Sequence, residues 1–347
     1  MTEVLFRVDA SPVMGVGHVM RCRALAESLV ERDVEVMFLT ASPADIVRAL
    51  LANMGIKLQT LPDTVAAGSP EDAAYVAAFG CEHGIGAIVL DGYHFTTDYM
   101  TRVAQEKPLA VLDDMARLPA LPCDLIINSA PHAFALPYRQ LAPKAELALG
   151  PSFSLIRKDI RDQITRVQDL PSQRSSVLVT FGGSDPLALT EPVVRALLPA
   201  LPASTQIDVL IGPAVPEARV LMTRLRGLER EERLHLHHAP SPVAPILARA
   251  GLAVTAGGGT VGELVALGVP TVTAVVVDNQ EGAARAAENA TIVDMRQPDG
   301  VMRLVQTAKK LWADAPARDA AAREGRAVID GQGALRVADK VLRISSF

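Results

Sequence analysis

The sequence predicts an α/β protein of two Rossmann-like domains, each a doubly wound parallel sheet, facing each other across a cleft. Three observations carry that expectation. Short runs rich in Val, Ile and Leu recur between longer amphipathic segments, which is how strands alternate with crossover helices. The alternation restarts near the middle of the chain. At 347 residues the chain also exceeds the roughly 250 to 300 residues at which one hydrophobic core stops growing.

In the first half, strands are expected near Val4–Val8, Val34–Leu39, Ala87–Leu90, Leu109–Leu112 and Leu125–Ile127, with helices over Val19–Glu31, Pro43–Met54 and Glu71–His83. The second half repeats the pattern, with strands near Val177–Phe181, Ile207–Ile211, Leu234–His237, Leu252–Thr255 and Thr271–Val276. Its helices are expected over Leu187–Leu198, Pro242–Ala250, Val261–Leu267 and Gln280–Asn289. Between the halves, Gly150–Arg174 is highly charged, carries Pro151 and Pro171 at its edges and shows no strand pattern, so it reads as a linker. The resulting domains cover 1–150 and 175–347, with a linker over 151–174. Three Ala- and Arg-rich segments of helical periodicity end the chain, Val301–Ala313, Ala317–Val328 and Ala334–Ile344, with Pro316 between the first two. One of them could cross back to the first domain.

Hydrophobic residues make up 49% of the chain and charged residues 21%, the balance of a folded globular protein. The formal charge of -5 is modest, and no stretch concentrates Lys and Arg enough for a nucleic-acid footprint. Cys22, Cys81 and Cys123 are too widely spaced for a disulfide framework or a zinc-type pair, which points to thiols in a reducing compartment. Charges interrupt the N-terminal stretch where a signal peptide would be apolar, and no apolar run approaches the ~20 residues of a membrane span. A cytoplasmic protein is expected.

Ligands of open parallel sheets gather at the carboxyl ends of strands, so chemistry is sought at strand-to-helix turns. The first strand runs through Asp9 into Gly15-Val16-Gly17-His18, ahead of a helix. Glycines there let the backbone approach a ligand, and the N–H groups at a helix start favour an anion. The dinucleotide fingerprint needs a third glycine where this chain has Met20, and a ribose-binding acid where it has Leu39-Thr40. There is no Lys-Ser/Thr phosphate loop either, so standard nicotinamide and ATP enzymes are disfavoured and no cofactor is expected. His18 either caps and packs against its helix or, as a neutral imidazole, accepts a proton.

Gly257-Gly258-Gly259-Thr260, after the strand Leu252–Thr255, is a second cradle of the same kind, with Glu263 one helical turn on. A carboxylate so placed could accept hydrogen bonds from both hydroxyls of a ribose while the turn holds a diphosphate; the alternative is a tight turn with a solvated Glu. Phe181-Gly182-Gly183-Ser184-Asp185 closes the first strand of the second domain, and its backbone could face the same ligand. His235 and His237 would share one face of a strand, but no acid or thiol is spaced nearby to complete a metal site, and none is expected. Asp113-Asp114 reads as a hydrogen-bonded turn rather than a catalytic pair, and Arg224–Arg233 as a solvated helix end or loop.

Together these stretches carry a family resemblance over nearly the whole chain. In order and spacing, Arg7-Val8-Asp9, Gly15-Val16-Gly17-His18-Val19-Met20-Arg21-Cys22, Asp91-Gly92-Tyr93 and Asp113-Asp114-Met115-Ala116-Arg117 resemble the PseG family of UDP-sugar hydrolases of pseudaminic acid biosynthesis. So do Cys123-Asp124-Leu125, Leu149-Gly150-Pro151, Phe181-Gly182-Gly183-Ser184-Asp185 and Asp278-Asn279-Gln280, and the spore-coat SpsG-like proteins share the pattern. The resemblance implies a GT-B fold and an inverting hydrolysis without a metal. UDP-2,4-diacetamido-2,4,6-trideoxy-β-L-altropyranose would yield UDP and free sugar, water taking the place of a glycosyl acceptor.

The same resemblance implies residue roles. His18 would position or deprotonate the attacking water, presented by the turn of Gly15 and Gly17. Helix-end N–H groups at Gly258, Gly259 and Thr260 would stabilise the diphosphate, Glu263 would serve the nucleotide, and Asn279 and Gln280 would contact the diphosphate or sugar. Asp9 and Tyr93 would line the sugar pocket, unless they are a turn-capping Asp and a packed Tyr; Gly183 would approach the ligand through its backbone. Where the family has Gly-Gly-Ser-Thr-x-Trp-Glu, this chain has Gly257-Gly258-Gly259-Thr260-Val261-Gly262-Glu263. It keeps the backbone cradle and lacks a hydroxyl and an indole, so the sugar and nucleotide stay open. The alternatives are a GT-B glycosyltransferase and a non-catalytic nucleotide-sugar-binding homologue.

Overall fold

The computed structural model describes residues 3–10, 16–41, 43–52, 54–228, 233–276 and 291–345. The chain divides into two compact units, residues 1–158 with 332–347, and residues 159–331. The first unit runs β1 (Glu3–Val8), α1 (Gly17–Val30), β2 (Glu35–Thr40), α2 (Asp45–Leu51), β3 (Lys57–Thr60), α3 (Pro70–Glu82), β4 (Ile85–Asp91), α4 (Thr97–Ala104), β5 (Leu109–Leu112), β6 (Leu125–Asn128), α5 (Tyr138–Leu141) and β7 (Glu146–Leu149). Its strands are parallel, in the order β3-β2-β1-β4-β5-β6-β7. Val4, Phe6 and Val8 of β1 enter one core with Leu25 and Leu29 of α1. Leu5 enters the opposite core with Val76 of α3 and Tyr99 of α4. Burial on both faces is why the central strands read as continuous apolar runs rather than as alternation.

In the second unit follow α6 (Lys158–Ile164), β8 (Ser176–Thr180), α7 (Thr190–Ala200), β9 (Gln206–Ile211), α8 (Ala218–Arg226), β10 (Leu234–His238), α9 (Ala244–Ala248), β11 (Ala250–Ala256), α10 (Gly259–Ala266), β12 (Thr271–Val275), β13 (Ile292–Asp294), α11 (Gly300–Ala313) and α12 (Ala315–Val328). Its sheet is again parallel, in the order β10-β9-β8-β11-β12-β13. Pro316 stands in the first turn of α12, where a missing N–H costs nothing, and Asp314 caps that helix by accepting from the Ala317 N–H.

Three differences from the sequence expectation have plain causes. The last helix, α13 (Gly333–Ile344), packs on the first unit through Val337, Ala338, Val341 and Ile344, so residues 332–347 leave the expected second domain. The stretch 151–174 holds α6, and the units divide at Lys158 and Asp159 inside it. Strands β3, β7 and β13 were not anticipated because edge strands of three or four residues are too short to show a pattern, and in β3 Lys57 and Gln59 are also polar and exposed. The helix expected over Gln280–Asn289 lies outside the described residues, among which no helix is long and apolar enough to cross a membrane.

In each sheet the strand order reverses at one place. The chain leaves β1 toward β2 but leaves β4 toward β5; it leaves β8 toward β9 but β11 toward β12. Connections that diverge from neighbouring strands open a crevice at their carboxyl ends, where ligands of open α/β sheets bind.

Candidate active site

The first unit's switch point brings the end of β1 beside the end of β4, with Val8 paired to Asp91. Gly17 opens α1 and places His18 in its first turn, behind Val16, which offers no side-chain cap. His18 Nδ1 lies 2.6 Å from Oδ1 of Asp91, whose side chain is fully buried. An ionised carboxylate only accepts, so Nδ1 carries the hydrogen of this bond and Nε2 is the acceptor of the neutral ring.

Arg21, one turn along α1, ties this pair to a second carboxylate. Its Nε donates to Asp91 Oδ2 at 2.6 Å and its Nη2 to Asp91 Oδ1 at 2.6 Å. Its Nη1 donates to both oxygens of Asp114, at 2.8 and 2.9 Å. Asp114 Oδ2 also accepts from the Tyr93 hydroxyl at 2.8 Å. The Tyr93 ring stands edge-on to His18, centroids 4.7 Å apart, and is 47% exposed while His18 is 8% exposed. Burial works against the charge of Asp91, but Arg21 and then His18 outweigh it and hold the carboxyl down at about 2. Asp114 is likewise lowered, burial opposing and Arg21 prevailing. Burial drives the Cys22 thiol well up, and it remains a donor to Asp91 Oδ2 at 3.5 Å.

Asp9 stands at the same edge in a separate network. Its Oδ1 accepts from Thr40 Oγ1 at 3.0 Å and the Ala41 N–H at 2.6 Å, and it pairs with Arg7 Nη1 at 2.7 Å. His94 Nε2 lies 3.1 Å from its Oδ2. Arg7, fully buried, reaches on to Asp72 at 3.1 and 2.8 Å. Burial opposes the charge of Asp9, and His94 and Arg7 hold its carboxyl below the usual range. These contacts make Asp9 an anchor for the ends of β1 and β2, the turn-capping alternative open in the sequence.

The adjacent aspartates after β5 divide their work. Asp113 Oδ1 accepts from the N–H groups of Met115 and Ala116, at 3.1 and 2.6 Å, and from the Tyr138 hydroxyl at 2.7 Å, forming the hydrogen-bonded turn expected of it. Asp114 turns to Arg21 and Tyr93 instead. Asp91 and Arg21 had no assigned role in the sequence, and Asp114 was read with Asp113 as a hydrogen-bonded turn, although each lies in a matching stretch. The available signal was topological, because Asp91 ends the strand beside the one that leads to His18.

The second unit gathers its glycines at its own switch point. After β11, Gly258 takes an extended conformation at the N-cap of α10, and Gly259, Thr260 and buried Glu263 follow on the helix. A Cβ at Gly258 or Gly259 would meet no heavy atom within 4 Å among the described residues. The turn after β8 uses Gly182 at φ +79°, and Gly183 accepts the Ala214 N–H at 2.9 Å. Asp185 holds the start of α7 by accepting from the Leu189 and Thr190 N–H groups at 2.8 and 2.9 Å. Gly15, Asn279 and Gln280 lie outside the described residues. One histidine of β10 does meet an acid, hidden from sequence spacing because it lies across the sheet: His237 Nε2 is 2.9 Å from Asp208 of β9, while His235 meets Gln206. Among the described residues no three His, Cys, Asp or Glu side chains group as metal ligands.

No protein-family model matches the chain. Among curated proteins it is similar to the UDP-2,4-diacetamido-2,4,6-trideoxy-beta-L-altropyranose hydrolase of Campylobacter jejuni, 22% identical over 283 residues that cover 81% of this chain and 94% of that protein. It is similar to the spore coat polysaccharide biosynthesis protein SpsG of Bacillus subtilis, 26% identical over 196 residues, 55% of this chain and 54% of that protein. An uncharacterised protein of Methanocaldococcus jannaschii is 23% identical over 279 residues, 78% of this chain and 55% of its own length. The chain thus spans about half the length of these last two relatives. Solved structures share its fold. MurG of Acinetobacter baumannii superposes with a TM-score of 0.64 at 14% identity, covering 99% of this chain and 100% of that one. A UDP-glucosyltransferase from Polygonum tinctorium gives 0.67 at 14% identity, covering 100% and 99%. The fold is the GT-B fold of these glycosyltransferases, built of two Rossmann-like α/β domains.

Proposed function

We propose that the chain is a nucleotide-sugar hydrolase, releasing UDP from UDP-2,4-diacetamido-2,4,6-trideoxy-β-L-altropyranose or a close analogue with inversion at the anomeric carbon. The substrate places it in pseudaminic or another nonulosonic acid biosynthesis. The observation that carries this reading is the His18–Asp91 pair at a switch point, supported by the similarity to the Campylobacter hydrolase. A water oxygen bonds to C1 as the bond from C1 to the diphosphate oxygen breaks. The water proton passes to His18 Nε2, and UDP departs with the bonding electron pair. Asp91 keeps the ring in the tautomer that can accept, and stabilises the imidazolium once formed.

The second unit is assigned the leaving group. The N–H groups opening α10, at Gly259 and Thr260 behind Gly258, stabilise the developing diphosphate charge, and Glu263 receives the ribose. Gly183, Asn279 and Gln280 are assigned to the diphosphate or sugar, and Tyr93 to the sugar beside His18. A GT-B glycosyltransferase is the second reading, favoured by the fold of MurG and the glucosyltransferase. The two are separated by incubating the protein with the UDP-sugar and no acceptor. Free UDP above that of a His18→Ala control supports the hydrolase, and its absence rejects it for that substrate.

A further inference from the structure

We infer that Arg21 is a positioning residue for the proposed base: it offsets the charge of Asp91, so that the carboxylate orients His18 without holding the ring protonated. The inference rests on the hydrolase reading for its purpose, and on the geometry of the first unit for its substance. A base needs a lone pair on Nε2, and an imidazolium has none. A buried carboxylate 2.6 Å from Nδ1 would, unopposed, stabilise the imidazolium before substrate arrives. Arg21 opposes it twice. It places one N–H on each oxygen of Asp91, both at 2.6 Å, and brings Nη2 to 3.2 Å from His18 Nδ1, setting a fixed cation beside the ring.

Asp114 makes the counterweight partial. It engages Nη1 of the same guanidinium through both oxygens, so one cation is shared between two carboxylates. The other titratable groups around the ring have partners of their own. Cys22 of α1 is a thiol donor to Asp91, and Tyr93, beyond β4, donates its hydroxyl to Asp114. His132, beyond β6, lies 3.4 Å from the backbone oxygen of Asp114. Asp9, beyond β1, is closed in by Arg7 and His94. Among the described residues, Arg21 is the cation whose removal or release changes the field at His18 most directly.

Histidine-selective 15N NMR of the full chain, titrated without substrate and assigned with His18→Ala, reads the effect. Arg21→Met is expected to raise the His18 titration midpoint. Asp114→Asn frees Arg21 for Asp91 and lowers the midpoint; Arg21→Lys, which keeps a cation, falls between wild type and Arg21→Met. The acid limb of UDP release should move the same way. Midpoints unmoved or reversed in folded Arg21→Met and Asp114→Asn would overturn the inference. Should Arg21→Met fail to fold, with two carboxylates left facing each other, Asp114→Asn alone decides by the sign of its shift. If the midpoints move as expected but no UDP is released, the charge role stands and the hydrolase reading fails.

Discussion

In the proposed reaction single residues carry the chemistry, and the His18–Asp91 pair carries most of it. Asp91→Asn keeps the shape of the partner but loses its charge and allows the amide to donate where the carboxylate could only accept. UDP release should fall by roughly 100-fold or more, with unchanged circular dichroism; activity within a few-fold of wild type would remove Asp91 from the mechanism. The sequence pointed to His18 and Tyr93, and the structure brings these two together, 4.7 Å between ring centroids. It could not separate Asp113 from Asp114, because adjacent side chains in one turn can face different ways. One holds the turn and the other holds Arg21. Asp9 was legible as a strand-end acid, but its neighbours Arg7, Thr40 and His94 come from three places along the chain, and spacing alone did not assemble them.

Helices and turns decide where those residues stand. In the second unit the glycines differ sharply in what they tolerate. A Cβ at Gly212 would lie 2.3 and 2.4 Å from the carbonyl oxygens of Gly182 and Gly183, so the turns after β8 and β9 pack backbone on backbone. Gly212→Ala should therefore cost about 1 to 3 kcal/mol, read by chemical denaturation, and should weaken UDP binding by displacing Gly183. Gly259→Ser meets open space at the start of α10 and should leave the melting temperature unchanged or slightly raised. A loss as large as that of Gly212→Ala would show that the α10 turn is packed rather than open. The central strands were legible because both faces are buried and their sequences are mostly apolar. The edge strands β3, β7 and β13 were not, since segments of three or four residues are too short to show a periodicity of their own.

Over the whole molecule, the two ends of the chain meet in one unit. Removing residues 332–347 uncovers the core beneath Val337, Ala338, Val341 and Ile344. At about 1.5 to 3 kcal/mol for each large apolar side chain, the loss is a major share of the ~5 to 15 kcal/mol that holds a domain folded. The first unit of the truncated chain should lose protection in hydrogen exchange while the second keeps it; equal protection of both would contradict the placement of α13. Acid should act on the first unit too. Asp91, at about 2, lies below its unfolded value near 4, because burial is outweighed by the Arg21 guanidinium and the His18 hydrogen bond. Its contribution, roughly 2 kcal/mol, is complete above pH ~4 and is lost as pH falls toward about 2. An acid titration followed by circular dichroism should show the first unit weakening across that window, and Asp91→Asn should flatten the dependence.

At the same scale lies the reaction itself. Proton NMR of the UDP-diacetamido-trideoxy-altrose, mixed with the full chain and no acceptor, follows UDP and the anomeric configuration of the first-formed sugar together. Wild type should release UDP and free sugar of inverted configuration, and His18→Ala, equally folded, should release none above background. Intact UDP-sugar in the presence of wild type, or equal release by His18→Ala, would contradict hydrolysis by the His18–Asp91 pair.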